Sequence, residues 1–306
     1  MSRIFAILIK YFSLHFPNRF GISWIVILVI ALYVNYGAKL WNSDKHLSFL
    51  EAIFLYGLAF WATTGLWLYF QLPKRIFKFK ELFKFSCWGV LLPLASNAGF
   101  EVQFWIIPPQ KVPLPLWDFF YQISYNLQSI VFYSCIPLIY AYLYEKHQFR
   151  SIYGLKDSDN LKVYVGILIA MIPLIIWASV QQDFLEIYPR YRYGSAEEYL
   201  NISPWITTAL YELTYVLHFI ALEVFFRGFL VRTLAIWLHD YAVFPMTACY
   251  MVLHFEKPLA ECIGSILGGY ILGILSFETR SIQGGIVLHV GIAIMMEIAA
   301  FLQIKN

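Results

Sequence analysis

The chain is a series of long apolar stretches separated by short polar segments. A membrane-spanning helix needs ~20 mostly apolar residues, and stretches of about this length recur along the whole sequence. They predict helices at 21–37, 48–70, 83–98, 117–143, 161–180, 203–225, 241–255, 259–277 and 283–303. Because 83–98 and 241–255 are short, the pattern predicts eight or nine transmembrane helices. The expected fold class is all-α, a polytopic membrane helix bundle.

Composition narrows the class of protein further. Hydrophobic residues make up 60% of the chain and charged residues only 13%, whereas an average soluble domain is about a quarter charged. This composition argues against a soluble enzyme and a disordered protein, and the net charge of +3 gives no reason to expect a nucleic-acid partner. The expected surroundings are the lipid bilayer. The four cysteines lack CxxC spacing, so we expect neither a disulfide framework nor a cysteine zinc site.

Basic residues predict the orientation in the membrane. The segments after the second and fourth predicted helices are rich in lysine and arginine, and they fall on one side of the membrane if the helices alternate. They contain Lys74, Arg75, Lys78, Lys80, Lys84, Lys146, Arg150, Lys156 and Lys162. Positive loops usually face the cytoplasm. We therefore expect a multi-pass protein with a cytoplasmic N-terminus, in a bacterial cytoplasmic membrane.

Ionisable residues within the apolar helices are concentrated near the C-terminus. A charge at bilayer depth costs at least ~2.5–3.5 kcal/mol on insertion scales, so it usually marks a functional site. The last hundred residues contain Glu212, His218, Glu223, Arg227, His254, Glu261, His289 and Glu297. This uneven placement divides the sequence into scaffold helices at 1–200 and a site-bearing helical core at 201–306, within one membrane-embedded unit.

Two of these residues are spaced as a pair. Glu223 and Arg227 are four positions apart, with the glutamate first, which is the favourable order on an α-helix. Apolar residues around them predict that the pair faces the interior of the bundle. One interpretation is a self-neutralising structural pair, and the other is a functional site.

Two histidines and a third carboxylate lie on later helices. His254 ends one apolar helix, Glu261 lies in the first turn of the next, and His289 is about two turns into the last. Each has a structural interpretation, as a satisfied core histidine or as a partner of the helix dipole. A carboxylate and two imidazoles on three helices also form a hydrolytic centre, in which the carboxylate takes a proton from water and the imidazoles orient and stabilise charge. We expect no cofactor, and the alternative is a zinc ion held by Glu223, His254 and His289.

Three segments in this order resemble the motifs of the intramembrane CAAX-protease family, also called the CPBP or Abi family. The stretch LEVFFRG at 222–228 is similar to its EExxxR motif, YMVLH at 250–254 to FxxxH, and HVGIA at 289–293 to HxxxN. The resemblance covers roughly residues 205–300. It implies a glutamate-dependent, metalloendopeptidase-like hydrolase that acts on prenylated or other membrane-associated proteins.

The resemblance also implies roles for single residues. Glu223 and Arg227 would orient the site, and His254 and His289 would be catalytic. The water-activating first glutamate of the family is Leu222 here, and the oxyanion-binding asparagine is Ala293. The carboxylate would therefore be supplied by Glu223 or Glu261.

Three hypotheses follow for the function. The first is a CAAX-type intramembrane endopeptidase that cleaves a membrane protein or a lipidated peptide. The second is a non-catalytic relative that binds a membrane peptide or lipid, which Leu222 and Ala293 favour. The third is a proton-coupled transporter that uses the buried carboxylates as a relay, although the sequence lacks the internal repeat typical of such proteins.

Overall fold

A computed structural model describes residues 2–38, 48–71, 78–100, 103–157 and 160–304. Within these ranges the chain is helical and contains no strand. The helices are α1 Ser2–His15, α2 Arg19–Leu32, α3 Phe49–Gln71, α4 Phe79–Phe85, α5 Leu92–Gly99, α6 Gln103–Ile106, α7 Trp117–Ile130, α8 Ile136–Tyr144, α9 Lys146–Ser151, α10 Leu161–Ser179, α11 Gln182–Ile187, α12 Ser195–Leu200, α13 Pro204–Glu223, α14 Val231–Leu238, α15 Val243–Val252, α16 Leu259–Thr279 and α17 Gln283–Ile304. This confirms the predicted all-α polytopic bundle.

Short irregular helical turns connect several of these helices. Among the described residues, π-helical turns follow α2 and join α4 to α5, α7 to α8, and α13 to α14; they lie at Tyr33–Gly37, Ser86–Leu91, Val131–Cys135 and Val224–Leu230. Turns of 3₁₀ helix lie at Pro109–Lys111, Leu114–Leu116 and His239–Ala242. A π-helix has i→i+5 hydrogen bonds and often occurs at functional positions. Each predicted apolar stretch is largely helical. Some helices extend beyond the predicted ends, whereas the helix predicted at 241–255 ends at Val252 and a turn follows.

Six helices in the described ranges are long and apolar enough to cross a membrane. They lie at Arg19–Gly37, Phe49–Phe70, Leu114–Tyr144, Leu161–Ser179, Leu259–Thr279 and Gln283–Ile304. Their length and apolar character support an integral membrane protein. Lys74 and Arg75, which contributed to the predicted orientation, lie outside the described residues.

The chain forms two compact units, each built from separate segments of the sequence. The first unit comprises Met1–Phe100, Ile136–Asp157 and Val224–Ile282. Its centre is α15, in which every residue is buried and which packs against α3 and α16. Helix α1 packs on α16, and His15 of α1 reaches Asp240 with Nε2 3.1 Å from the carboxylate oxygen.

The second unit comprises Glu101–Cys135, Ser158–Glu223 and Gln283–Asn306. Helix α13 packs against α7 and α17, and α10 packs against α17. The last contact is close because Gly284 of α17 faces the Tyr164 ring and Gly291 faces the Leu168 side chain. Small residues allow such close approach between apolar helices. The predicted division of the sequence at residue 200 stays a prediction.

Candidate active site

A buried carboxylate–imidazole pair joins α13 to α17 within the second unit. Glu223 is the last residue of α13, and His289 lies about two turns into α17. Nδ1 of His289 is 2.8 Å from Oε1 of Glu223. The Glu223 side chain is 0% exposed and that of His289 is 17% exposed. The structure therefore brings together two residues that the sequence identified separately, and the imidazole is the accessible member of the pair.

This hydrogen bond determines which nitrogen of His289 carries a proton. An ionised carboxylate only accepts hydrogen bonds, so Nδ1–H of His289 donates to Glu223. In the neutral ring Nε2 is then the proton acceptor. The Phe219 ring packs against the imidazole, with the ring centroids 4.4 Å apart. The arrangement can present one basic nitrogen in a fixed orientation.

Gly285 makes room for the Glu223 carboxylate. It precedes His289 by one turn of α17, and a Cβ atom at this position would collide with Oε2 of Glu223. Any larger residue would have to displace the carboxylate or the helix. The sequence signal for this contact was the Gly284–Gly285 pair, which indicates close packing but not the side chain that the glycine faces.

Arg227 is buried in the first unit, in the π-helical turn Val224–Leu230. Its guanidinium carbon lies 4.1 Å from the centroid of the Tyr250 ring, a cation–π contact. The backbone carbonyl of Arg227 accepts a hydrogen bond from the Ser276 hydroxyl at 2.8 Å. The predicted pairing of Arg227 with Glu223 stays a prediction.

His254 lies in the turn that follows α15, also in the first unit. Its Nδ1 is 2.9 Å from the carbonyl oxygen of Tyr250, so Nδ1–H donates and Nε2 is the acceptor nitrogen of the neutral ring. The two rings also meet edge to face, with their centroids 4.6 Å apart. Tyr250 thus contacts both His254 and Arg227. In the sequence, Tyr250 is the first residue of the stretch that resembles FxxxH, and nothing there predicts this supporting role.

Residues 204–295 match the family model described as Rce1-like, the type II CAAX prenyl endopeptidase Rce1-like family. The matched range covers about a third of the chain and is similar to that family. This confirms the predicted resemblance to the CAAX-protease family, and the matched range contains Glu223, Arg227, His254, Glu261 and His289. No curated protein and no solved structure matches the chain.

Two positions of the Rce1-like segment differ from the family motifs, and both are buried. Leu222, at the position of the first glutamate, is 3% exposed. Ala293, at the position of the asparagine, packs in a cluster with Tyr191, Tyr211 and Tyr215. Neither side chain has a polar group, so neither can activate water or stabilise an oxyanion.

Glu261 lies in the first turn of α16 in the Rce1-like segment. Its carboxylate is 3.6 Å from the Lys257 ammonium, and both side chains are about a quarter exposed. A carboxylate in the first turn also interacts favourably with the helix dipole. These contacts fit a structural carboxylate, and its predicted catalytic role stays a prediction.

Glutamate and histidine side chains are of the types that bind zinc. Among the described side chains, no group of three or more His, Cys, Asp or Glu residues is placed to hold a metal ion. A structural or catalytic zinc site needs at least three protein ligands. The expectation of no cofactor, and the alternative of a zinc ion on Glu223, His254 and His289, both stay predictions.

Proposed function

We propose that this protein is a CAAX-type intramembrane endopeptidase that hydrolyses a peptide bond in a membrane-associated substrate protein. The observation that carries the proposal is the hydrogen bond between Glu223 and His289, in the segment that is Rce1-like. A fully buried carboxylate in an apolar helix bundle is costly. Its use to orient an accessible imidazole is a common feature of hydrolytic enzymes.

In the proposed reaction, Nε2 of His289 removes a proton from water as the water oxygen attacks the scissile carbonyl carbon. Glu223 stabilises the imidazolium that forms, because it accepts the Nδ1–H hydrogen bond. His289 then gives the proton to the leaving amine nitrogen as the C–N bond breaks. This assignment differs from the expected one, in which Glu223 is the base, because Glu223 is buried behind the imidazole.

His254 is proposed as the second catalytic imidazole, on the strength of the family motif YMVLH. Its Nδ1–H is held by the Tyr250 carbonyl, so Nε2 is the nitrogen through which we propose that it acts. Arg227 is proposed as structural support. The proposed substrate is a prenylated or other membrane-anchored protein, as the family description suggests.

The test uses purified protein in lipid vesicles. It is incubated with prenylated and with unprenylated membrane peptides. Mass spectrometry would identify the fragments. Glu223→Gln and His289→Ala should each lower kcat/KM by about 10²–10⁴-fold, the usual contribution of a positioned acid–base group. Glu212→Gln, a matched change on the same helix α13, should leave the rate unchanged. Cleavage unaffected by both site variants would reject the assignment.

A non-catalytic relative that binds a membrane peptide or lipid is the second candidate. The apolar residues Leu222 and Ala293 at two motif positions favour it. In that case the wild-type protein cleaves nothing, and the variant carrying Leu222→Glu with Ala293→Asn gains activity. A chelator added to the same assay tests metal dependence: a metal-independent enzyme keeps its rate.

We also propose the orientation expected from the basic loops, with a cytoplasmic N-terminus in a bacterial cytoplasmic membrane. Lys146, Arg150 and Lys156 are exposed and would face the cytoplasm. Lys156→Cys should then be protected from an impermeant thiol reagent in intact cells, whereas Lys111→Cys in the opposite loop should react. Labelling of Lys156→Cys with protection of Lys111→Cys would show the opposite orientation.

A further inference from the structure

The π-helical turn that follows α2, Tyr33–Gly37, is hydrogen-bonded to the turn that contains His254, within the first unit. The amide nitrogen of Asn35 donates to the carbonyl oxygen of Phe255 at 3.0 Å. The Tyr36 hydroxyl is 2.8 Å from the carbonyl oxygen of Lys257 and 3.2 Å from that of His254. Because a tyrosine hydroxyl has one proton, it is shared between these two carbonyls, with the shorter contact dominant.

These contacts bring side-chain donors to carbonyl groups of the turn that follows α15, which ends at Val252. Backbone carbonyls outside a regular helix need hydrogen-bond donors other than the i+4 N–H group. After α15, the backbone N–H of Phe255 bonds to the Val252 carbonyl at 3.1 Å and that of Lys257 to the His254 carbonyl at 3.1 Å, so the chain turns tightly. Asn35 and Tyr36 supply further donors from a π-helical turn more than two hundred residues away in the sequence.

The local geometry of the turn that follows α2 matches this role. Residues Tyr33–Gly37 form a π-helical turn, which places neighbouring side chains differently from an α-helix. Asn35 is 5% exposed, and a buried amide in an apolar helix is stable only when it is hydrogen-bonded. The polar residues Asn35 and Tyr36 therefore have a specific partner, the turn at His254.

We propose that Asn35 and Tyr36 are positioning residues for His254, an inference that rests on the proposed function. The ring of His254 is held by its own Nδ1 contact with Tyr250, and the turn that carries the ring is held by Asn35 and Tyr36. Loss of these donors would let the turn move and change the direction of Nε2. Displacement of a catalytic group by about 1 Å can lower a rate by roughly a hundredfold.

Two variants test the proposal with a matched control. Tyr36→Phe removes one hydroxyl, Asn35→Leu removes the amide, and Tyr33→Phe removes the hydroxyl of an exposed tyrosine in the same turn. In the vesicle assay, Tyr36→Phe and Asn35→Leu should each lower kcat about ten- to a hundredfold with KM nearly unchanged. Tyr33→Phe should match the wild type.

A second readout does not depend on peptidase activity. Nitrogen chemical shifts of ¹⁵N-labelled histidine report which ring nitrogen of His254 is protonated, with His289 as an internal reference. Tyr36→Phe should shift or broaden the His254 signals and leave those of His289 in place. If the wild-type protein cleaves no peptide, the proposed function is wrong. The nitrogen chemical shifts of His254 still test whether Asn35 and Tyr36 position its ring. Unchanged His254 signals and an unchanged kcat in both variants would overturn the proposal.

Discussion

Glu223 accepts a hydrogen bond from Nδ1 of His289 at 2.8 Å, and the carboxylate is fully buried while the imidazole is partly exposed. The two residues lie 66 positions apart in the sequence and are the last residue of α13 and an early residue of α17. Because only the imidazole is partly exposed, the two side chains have different roles. The glutamate fixes the orientation of the ring, and the ring is the group that a water molecule and a substrate can reach.

Substitution of Gly285 should remove activity while the fold is kept. In Gly285→Ala the new methyl group meets Oε2 of Glu223, so the carboxylate must move away from His289. The expected cost in unfolding free energy is about 1–3 kcal/mol, as for other overpacked sites. Gly166→Ala on α10 is the matched control, because open space surrounds its Cβ position, and it should be neutral or slightly stabilising. Equal cleavage rates for the two variants would contradict the placement of the carboxylate.

The contact between α10 and α17 should depend on Gly284. A methyl group there would overlap the Tyr164 ring, so Gly284→Ala should lower the unfolding free energy by about 1–3 kcal/mol in detergent micelles. The double variant with Tyr164→Leu should recover part of this loss, because the smaller side chain leaves space. Additive losses in thermal or chemical unfolding would argue against a direct contact.

The Tyr250 ring should matter more than its hydroxyl for the burial of Arg227. Tyr250→Phe keeps the aromatic face and should leave the unfolding free energy nearly unchanged. Tyr250→Leu loses the cation–π contact and should be less stable than Tyr250→Phe by about 1–2 kcal/mol, the range for a desolvated pair. A comparison of denaturation midpoints would settle this, and equal stability of the two variants would contradict it.

Glu197 should make the stability of the protein depend on pH. Burial acts to raise the pKa of Glu197, but hydrogen bonds from Thr207, from the Gly194 N–H and from Tyr191 hold this pKa below its usual value. The Gly194 and Tyr191 contacts measure 2.6 and 2.7 Å. Since the folded-state pKa is lowered, the stabilisation is complete well above the unfolded-state pKa of about 4.3 and is lost as the pH falls through the folded value.

The measurement compares Glu197→Gln with Glu198→Gln, a change at the exposed neighbour. At pH 7 the first variant should be less stable than wild type by about 1–3 kcal/mol, and the difference should shrink below about pH 4. Glu198→Gln should follow the wild-type curve. Parallel pH curves for Glu197→Gln and wild type would show that the carboxylate is not specially stabilised.

Much of the fold could be predicted from the sequence because membrane helices are defined by length and apolar content. The predicted stretch 259–277 corresponds to Leu259–Thr279, and 117–143 to the run from Trp117 to Tyr144. The π-helical turns could not be predicted, since apolar residues cover several faces of Val224–Leu230 and give no periodicity from which to infer the hydrogen-bond pattern.

The candidate site was only partly predictable. Glu223 and His289 were identified because ionisable groups at bilayer depth are rare, but their hydrogen bond is a tertiary contact that no spacing encodes. Asn35 and Tyr36 were missed because they are uncharged and lie far from the motifs. Amide and hydroxyl side chains are common in membrane helices, so only the structure links them to the His254 turn.

The central claim, that Glu223 and His289 act as one unit in peptide hydrolysis, is tested most directly by a double-mutant cycle. The measurement is kcat/KM for a membrane peptide with wild type, Glu223→Gln, His289→Ala and the double variant. Residues that act as a unit show strongly non-additive losses, so the double variant should be no slower than His289→Ala alone. Losses that multiply, activity unaffected by either change, or a wild type that cleaves no peptide would contradict the account.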